Sequence, residues 1–78
     1  MSDEEILIKY FSGKPQWNGK KLYKIGELRV EYYGTKLYKV GGAKIEYYNN
    51  KLYKINGERV TWYGDKVYKI GDRRFEYY

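Results

Sequence analysis

Apolar and polar residues alternate along most of this chain, in short runs that recur every fifteen residues. From Gly19 to Tyr78 there are four tandem units without insertions or deletions, which read GKKLYKIGELRVEYY, GTKLYKVGGAKIEYY, NNKLYKINGERVTWY and GDKVYKIGDRRFEYY. Each unit holds two alternating five-residue runs rich in β-branched and aromatic residues, a pattern typical of half-buried β-strands. The repeat therefore predicts an architecture built from one small β unit used four times.

Turn-forming dipeptides separate these runs. Inside the units they are Gly26-Glu27, Gly41-Gly42, Asn56-Gly57 and Gly71-Asp72, and between the units they are Gly34-Thr35, Asn49-Asn50 and Gly64-Asp65. Asn-Gly and Gly-X are signatures of two-residue type I′ and II′ hairpin turns. The pattern predicts an all-β fold with one short N-terminal helix, in which an antiparallel up-and-down meander of four β-hairpins forms an open, twisted sheet. A curled, barrel-like roll is the alternative.

The odd length of the repeat constrains how the strands pair. A two-residue turn at Gly26-Glu27 places Tyr23 opposite Val30. Two such turns in each unit would make the period even, so one turn must hold an odd number of residues or one strand must contain a bulge. We predict a three-residue loop over residues 33–35, which places Val30 opposite Tyr38 and sorts the side chains cleanly between the two faces.

One face of this register is predicted to be the core. Its central row consists of Tyr23, Val30, Tyr38, Ile45, Tyr53, Val60, Tyr68 and Phe75. The neighbouring row alternates lysine with an aromatic residue, and its members are Lys21, Tyr32, Lys36, Tyr47, Lys51, Trp62, Lys66 and Tyr77. Cation–π contacts in this row are expected to contribute about 0.5–1 kcal/mol each where they are exposed.

The opposite face is predicted to carry a row of cations, one on each strand. These residues are Lys24, Arg29, Lys39, Lys44, Lys54, Arg59, Lys69 and Arg74. The row beside it is predicted to contain Leu22, Glu31, Leu37, Glu46, Leu52, Thr61, Val67 and Glu76, so its glutamates neutralise only part of the charge. Two interpretations follow, a solvated face held by diagonal ion pairs or a linear binding surface for a polyanion such as nucleic acid.

Residues 1–18 are predicted to form a cap, ahead of units at 19–33, 34–48, 49–63 and 64–78 that complete a single domain. Ser2 with Glu5 matches the capping box that begins a helix, and Gly13 with Pro15 would end it. A strand over residues 6–11 is the competing interpretation. Residues 14–18 align with the second half of a unit and predict a degenerate ninth strand, which Pro15 confines to an edge.

An apolar face of this size raises the question of what covers it. Eight or nine strands make a flat sheet about 38–43 Å wide, whereas a ten-residue helix is only about 15 Å long. Either the sheet curls or a second copy packs against it. The predicted register contains no stagger between units, which favours an open sheet in a homodimer. Candidate residues for self-association are Phe75, Tyr77 and Tyr78 in the last strand.

Composition narrows the chemistry. The chain has 78 residues, no cysteine, no histidine and a net charge of +6. His–Cys metal sites and the usual nucleophile–base pairs are therefore absent, and we predict no enzymatic activity, no cofactor and no metal. The acidic N-terminus and the lack of a long apolar run predict a cytoplasmic protein with no membrane partner.

Three functions from different classes remain open. The first is a structural or protein-interaction module that self-associates through its aromatic face or its last strand. The second is a polyanion-binding module that uses the eight cations. The third is a carbohydrate or peptide binder that uses exposed tyrosines, with Tyr33, Tyr48, Tyr63 and Tyr78 as candidates.

Overall fold

A computed structural model describes residues 2–75 and shows one helix followed by nine strands. The elements are α1 (Asp3–Phe11), β1 (Pro15–Asn18), β2 (Lys21–Ile25), β3 (Leu28–Tyr33), β4 (Lys36–Val40), β5 (Ala43–Tyr48), β6 (Lys51–Ile55), β7 (Glu58–Tyr63), β8 (Lys66–Ile70) and β9 (Arg73–Arg74). Each strand pairs antiparallel with the next one in the chain, so the strands form a meander in sequence order. The sheet is open, with β1 and β9 at its edges, as the repeat predicts.

The N-terminal segment is a helix, and the competing strand over residues 6–11 is wrong. The Ser2 hydroxyl accepts a hydrogen bond from the Glu5 amide at 3.2 Å, while the Glu5 carboxylate accepts one from the Ser2 amide at 3.0 Å. This reciprocal pair is the predicted capping box. The helix ends at Phe11 and is capped by Ser12, which has a left-handed backbone (φ 56°) and whose amide donates to the Ile8 carbonyl.

The turns inside the units have two residues, as predicted. Lys24 lies opposite Arg29, and Ile25 lies opposite Leu28, so Gly26 and Glu27 form the turn. At Gly26 the φ angle is +61°, and only this first turn position has a positive φ, as a type II′ turn requires. In the third unit Asn56 (φ 54°) and Gly57 (φ 82°) are both left-handed, as in a type I′ turn.

The three-residue loop predicted between units is wrong. Tyr33 pairs with Lys36, so that turn also has only two residues. The odd residue lies instead in a β-bulge, because Tyr32 is opposite Leu37 whereas Glu31 is opposite Lys39, which leaves Tyr38 as the extra residue. The equivalent register shift occurs in β2, β6 and β8. Each unit therefore accommodates its odd length inside its first strand.

The bulge reverses the alternation of side chains and corrects the predicted faces. Leu22, Leu37, Leu52 and Val67, placed on the cation face from the sequence, are buried in the core. Tyr23 and Tyr38, placed in the core, are 46% and 38% exposed. The other half of the predicted core row is correct, since the residues it takes from the second strand of each hairpin are all buried, namely Val30, Ile45, Val60 and Phe75.

The bulges also introduce stagger, which the predicted register lacked. Lys39 pairs with Glu31 on one side and with Lys44 on the other, and Lys44 lies two residues before Glu46, the equivalent of Glu31 in the next unit. Each unit is therefore displaced by two residues along the strand direction. Bulges increase local twist, and stagger is what allows a sheet to curl.

The end of α1 demonstrates the curvature. Gly13 lies so close to β2 that a Cβ added there would sit 2.9 Å from the Gly26 amide nitrogen. Arg73, at the other end of the sheet, donates to the carbonyls of Lys9 and Tyr10. In a flat sheet β2 and β9 would be about 34 Å apart, whereas residues 10–13 span at most about 11 Å.

The sheet therefore curves around α1, and the molecule measures 31 × 24 × 22 Å. Ile6 and Leu7 of the helix are fully buried and belong to the same apolar cluster as the core residues of the sheet. One chain thus covers the apolar face of its own sheet over the described residues. The opposite face of the sheet, which we call the outer face, carries the cations and several tyrosines.

Candidate polyanion interface

Four cross-strand pairs of cations lie on the outer face, one in the hairpin of each unit. They are Lys24 with Arg29, Lys39 with Lys44, Lys54 with Arg59, and Lys69 with Arg74. Like charges directly opposite each other destabilise an antiparallel ladder. All eight predicted cations fall on one face, because the members of each pair lie directly opposite each other. The stagger between units arranges them as four steps of two residues and not as one straight row.

The first lysine of each pair also lies opposite a residue of the preceding strand. Lys39 faces Glu31 and Lys54 faces Glu46, whereas the corresponding partners of Lys24 and Lys69 are the uncharged Gln16 and Thr61. The second member of each pair is exposed, as Arg29 and Lys44 illustrate, while the first is half-buried. The outer face consequently retains an excess of positive charge, greatest at the first and last pairs.

Tyrosines accompany the cations on this face. Tyr33, Tyr48 and Tyr63 occupy the last position of β3, β5 and β7, and their side chains are 81%, 66% and 69% exposed. The rings of Tyr33 and Tyr38 meet edge to face with centroids 6.2 Å apart, and those of Tyr48 and Tyr53 lie 5.7 Å apart. Each pair joins an exposed ring to a tyrosine displaced outward by the bulge.

The third unit shows how these rings join the cations. The Arg59 guanidinium lies 5.3 Å from the centre of the Tyr53 ring and donates a 3.0 Å hydrogen bond to its hydroxyl. The Lys54 ammonium is 5.6 Å from the same ring. In the fourth unit Arg74 lies 5.7 Å from the Tyr68 ring. Ring and cation are thus direct neighbours at equivalent places.

A second set of lysines begins the first strand of each unit, where Lys36 and Lys51 lie opposite Tyr33 and Tyr48. Lys21, Lys36 and Lys51 stand 4.4, 4.6 and 4.7 Å from the ring centres of Tyr32, Tyr47 and Trp62. These three contacts are among those of the predicted lysine–aromatic row, and the three rings pack against the apolar core. Between units the row is wrong, because Tyr32 and Tyr47 lie opposite Leu37 and Leu52, and its last member, Tyr77, lies outside the described residues. We call Lys21, Lys36, Lys51 and the equivalent Lys66 the rim lysines.

Tyr32, Tyr47 and Trp62, which we call the rim aromatics, are held by hydrogen bonds and by packing against the core. The Tyr32 hydroxyl donates to the Leu22 carbonyl at 2.8 Å, and the Trp62 indole donates to the equivalent Leu52 carbonyl at 2.9 Å. Burial raises the pKa of the Tyr47 hydroxyl above its ordinary range, and the carboxylates of Asp3 and Glu4 add to this increase. The rim aromatics thus pack against the apolar core and are fixed to the neighbouring strand.

A polar cluster at the end of α1 was not predicted from the sequence. The Tyr10 hydroxyl donates to the Glu58 carboxylate, and Arg73 donates to the Ser12 hydroxyl as well as to the helix carbonyls. Burial raises the pKa of Tyr10 to about 12, with the hydrogen bond to Glu58 adding to the increase and Arg73 opposing it. Leu28, Ala43, Glu58 and Arg73 occupy the same position in the four units. The change from an apolar residue in the first two units to a charged one in the last two was the sequence signal for this cluster.

The structure describes one of the three residues predicted for self-association, and it places that residue in the core. Phe75 is 3% exposed and belongs to the core cluster, so its ring is not on the surface. Tyr77 and Tyr78 lie outside the described residues.

Within residues 2–75 no three acidic side chains are grouped so that they could hold a metal ion. In the same part of the chain, no helix has the length and apolar character needed to cross a membrane.

Comparison with known protein families, curated proteins and solved structures finds no match to this chain. Its function must therefore be argued from the outer face itself.

Proposed function

We propose that the outer face binds an extended polyanion. The observation that carries the proposal is the recurrence of a like-charged cross-strand pair in every unit. Each pair works against the stability of its own ladder, and local conflicts of this kind are typical of functional surfaces. Phosphate groups placed over the pairs would remove the repulsion and release counterions, which favours binding.

The arrangement of the pairs favours a long ligand over a small one. Successive pairs are two strands apart, or roughly 10 Å across the sheet, and each is offset by two residues along the strand. The four pairs therefore form steps along one curved surface and do not converge on a pocket. Glu31 and Glu46 offset part of the charge in the middle of the surface, where Lys39 and Lys54 face them.

Two matched variants test this proposal. The first replaces the outer-face lysines, Lys24→Gln, Lys39→Gln, Lys54→Gln and Lys69→Gln. The second replaces the rim lysines, Lys21→Gln, Lys36→Gln, Lys51→Gln and Lys66→Gln, so that net charge falls equally. Binding of inorganic polyphosphate is measured at several salt concentrations after circular dichroism has shown that both variants fold.

We expect the outer-face variant to lose about tenfold or more in affinity at low salt and to show a shallower salt dependence, because fewer ions are released. The rim variant is expected to keep most of the affinity. Equal losses in the two variants would mean that binding follows net charge alone. Unchanged binding by the outer-face variant, or no binding of polyphosphate by the unmodified protein, would contradict the proposal.

A further inference from the structure

We propose that the polyanion is a single-stranded nucleic acid whose unpaired bases stack on Tyr33, Tyr48 and Tyr63. This inference rests on the proposed function, since it uses the same face and assigns its phosphate contacts to the cation pairs. It adds a class of ligand and three equivalent stacking positions, one at the end of the second strand in each of the first three units.

The exposure of these rings is the first observation. Isolated exposed aromatic residues are common on protein surfaces, but here the same position is at least 66% exposed in three consecutive units. Tyr33 lies two residues after Glu31 in β3, so both side chains point to the outer face. The rings are therefore presented on the side of the sheet that carries the cation pairs.

The second observation is that ring and charge are adjacent. The Tyr48 ring is in contact with Tyr53, which in turn is flanked by Lys54 and Arg59. A nucleotide strand carries a phosphate next to every base, so it can occupy the cation pair and the exposed ring together. Proteins that bind single strands combine a positive surface with aromatic side chains in this way.

The chemistry of the face distinguishes this ligand from others. A duplex keeps its bases stacked on one another and offers few base faces to a protein side chain. A neutral oligosaccharide can stack on a tyrosine but provides no charge for the cation pairs. A polyphosphate satisfies the pairs and leaves the tyrosines unused. A single-stranded nucleic acid is the ligand that satisfies both features.

The test compares two oligonucleotides of equal length, oligothymidylate and an abasic strand with the same phosphate backbone. Binding is measured by fluorescence anisotropy with the full chain and with two triple variants. The first variant, Tyr33→Thr, Tyr48→Thr and Tyr63→Thr, removes the rings while keeping strand-forming residues. The second, Tyr33→Phe, Tyr48→Phe and Tyr63→Phe, keeps the rings and removes only the hydroxyls.

We expect the full chain to bind oligothymidylate at least about tenfold more tightly than the abasic strand, since each stacked base contributes substantially. The threonine variant is expected to lose this preference while binding the abasic strand as before, and the phenylalanine variant is expected to retain it. Equal binding of the two strands by the full chain would overturn this inference and leave the proposed function standing. Binding of a neutral oligosaccharide as tightly as oligothymidylate would also overturn this inference. Failure to bind either strand while polyphosphate still binds would overturn this inference alone, and failure to bind polyphosphate as well would overturn both.

Discussion

Gly41 and Gly42 share one turn, yet their backbones have different requirements. Gly41 has a φ of +60°, and a Cβ added to it would lie 2.7 Å from the Leu28 Cδ2 atom. Gly42 has no positive φ, and an added Cβ would meet nothing within 4 Å. Replacing glycine where the backbone already suits alanine restricts the unfolded chain and stabilises the protein.

We therefore expect Gly42→Ala to raise the free energy of unfolding by about 0.4–1 kcal/mol and Gly41→Ala to lower it by about 1–2 kcal/mol or more. Urea denaturation of both variants beside the unmodified chain measures the difference. Equal destabilisation by the two substitutions would show that the turn is not formed as described.

Tyr10 is expected to make stability depend on alkaline pH. Its folded pKa of about 12 lies above the ordinary tyrosine pKa of 10.0, so the folded protein holds this proton more tightly than the unfolded chain does. The stability that Tyr10 gains from holding this proton is therefore fully present below pH 10 and is lost as the pH rises through about 12. A Tyr10→Phe variant should lose less stability across this interval than the unmodified chain. Thermal unfolding at a series of pH values measures this, and identical profiles for Tyr10→Phe and the unmodified chain would refute the assignment.

The contact between α1 and β9 links the first helix of the chain to the last described strand. Arg73 donates to the Lys9 carbonyl at 3.0 Å, and its guanidinium lies 5.7 Å from the Tyr10 ring and 5.3 Å from the Phe75 ring. A cation at a helix C-terminus also interacts favourably with the helix dipole. Its neighbour Arg74 points to the outer face, where it lies over Tyr68.

Arg73→Ala is therefore expected to lower the free energy of unfolding by about 1–3 kcal/mol, whereas Arg74→Ala should change it by less than about 0.5 kcal/mol. Denaturant unfolding provides the energies, and hydrogen exchange of the helix amides locates the effect. If Arg74→Ala proved as costly as Arg73→Ala, the helix would not be fastened to the sheet by Arg73.

The hairpins, the two-residue turns inside the units, the edge strand with Pro15 and the capped helix could all be predicted, because each depends on residues close together in the sequence. The position of the odd residue could not. In the run Leu22-Tyr23-Lys24-Ile25, leucine and tyrosine are both acceptable core residues, so the alternation alone does not show where a bulge reverses it. Burial decides between them, since leucine is wholly apolar whereas tyrosine carries a hydroxyl that favours the surface.

At the scale of the whole molecule, the same bulges explain the curvature. A register without stagger predicts a wide sheet with an uncovered apolar face, and the homodimer was predicted from that face. The actual register is staggered, the sheet curves around α1, and the apolar residues from Ile6 to Phe75 form one core. Self-association remains a separate hypothesis, but an uncovered apolar face over residues 2–75 is no longer a reason for it.

The candidate interface was partly foreseen from the sequence. All eight cations were placed on one face, because the register inside each hairpin depends only on its two-residue turn. The outward position of Tyr38 and its equivalents was missed, because it depends on the bulge. The contact between tyrosines and cations on the outer face therefore depends on the bulge, and the alternation of apolar and polar residues did not predict it.

The most direct test of this account is to titrate ¹⁵N-labelled protein with oligothymidylate and follow the backbone amides by NMR. We predict saturable shifts at outer-face positions of successive units, among them Arg29, Tyr33, Lys44, Tyr48 and Arg59. Amides of the buried helix residues Ile6 and Leu7 should remain unchanged. Shifts centred on the helix, or a titration without saturable shifts, would contradict the account.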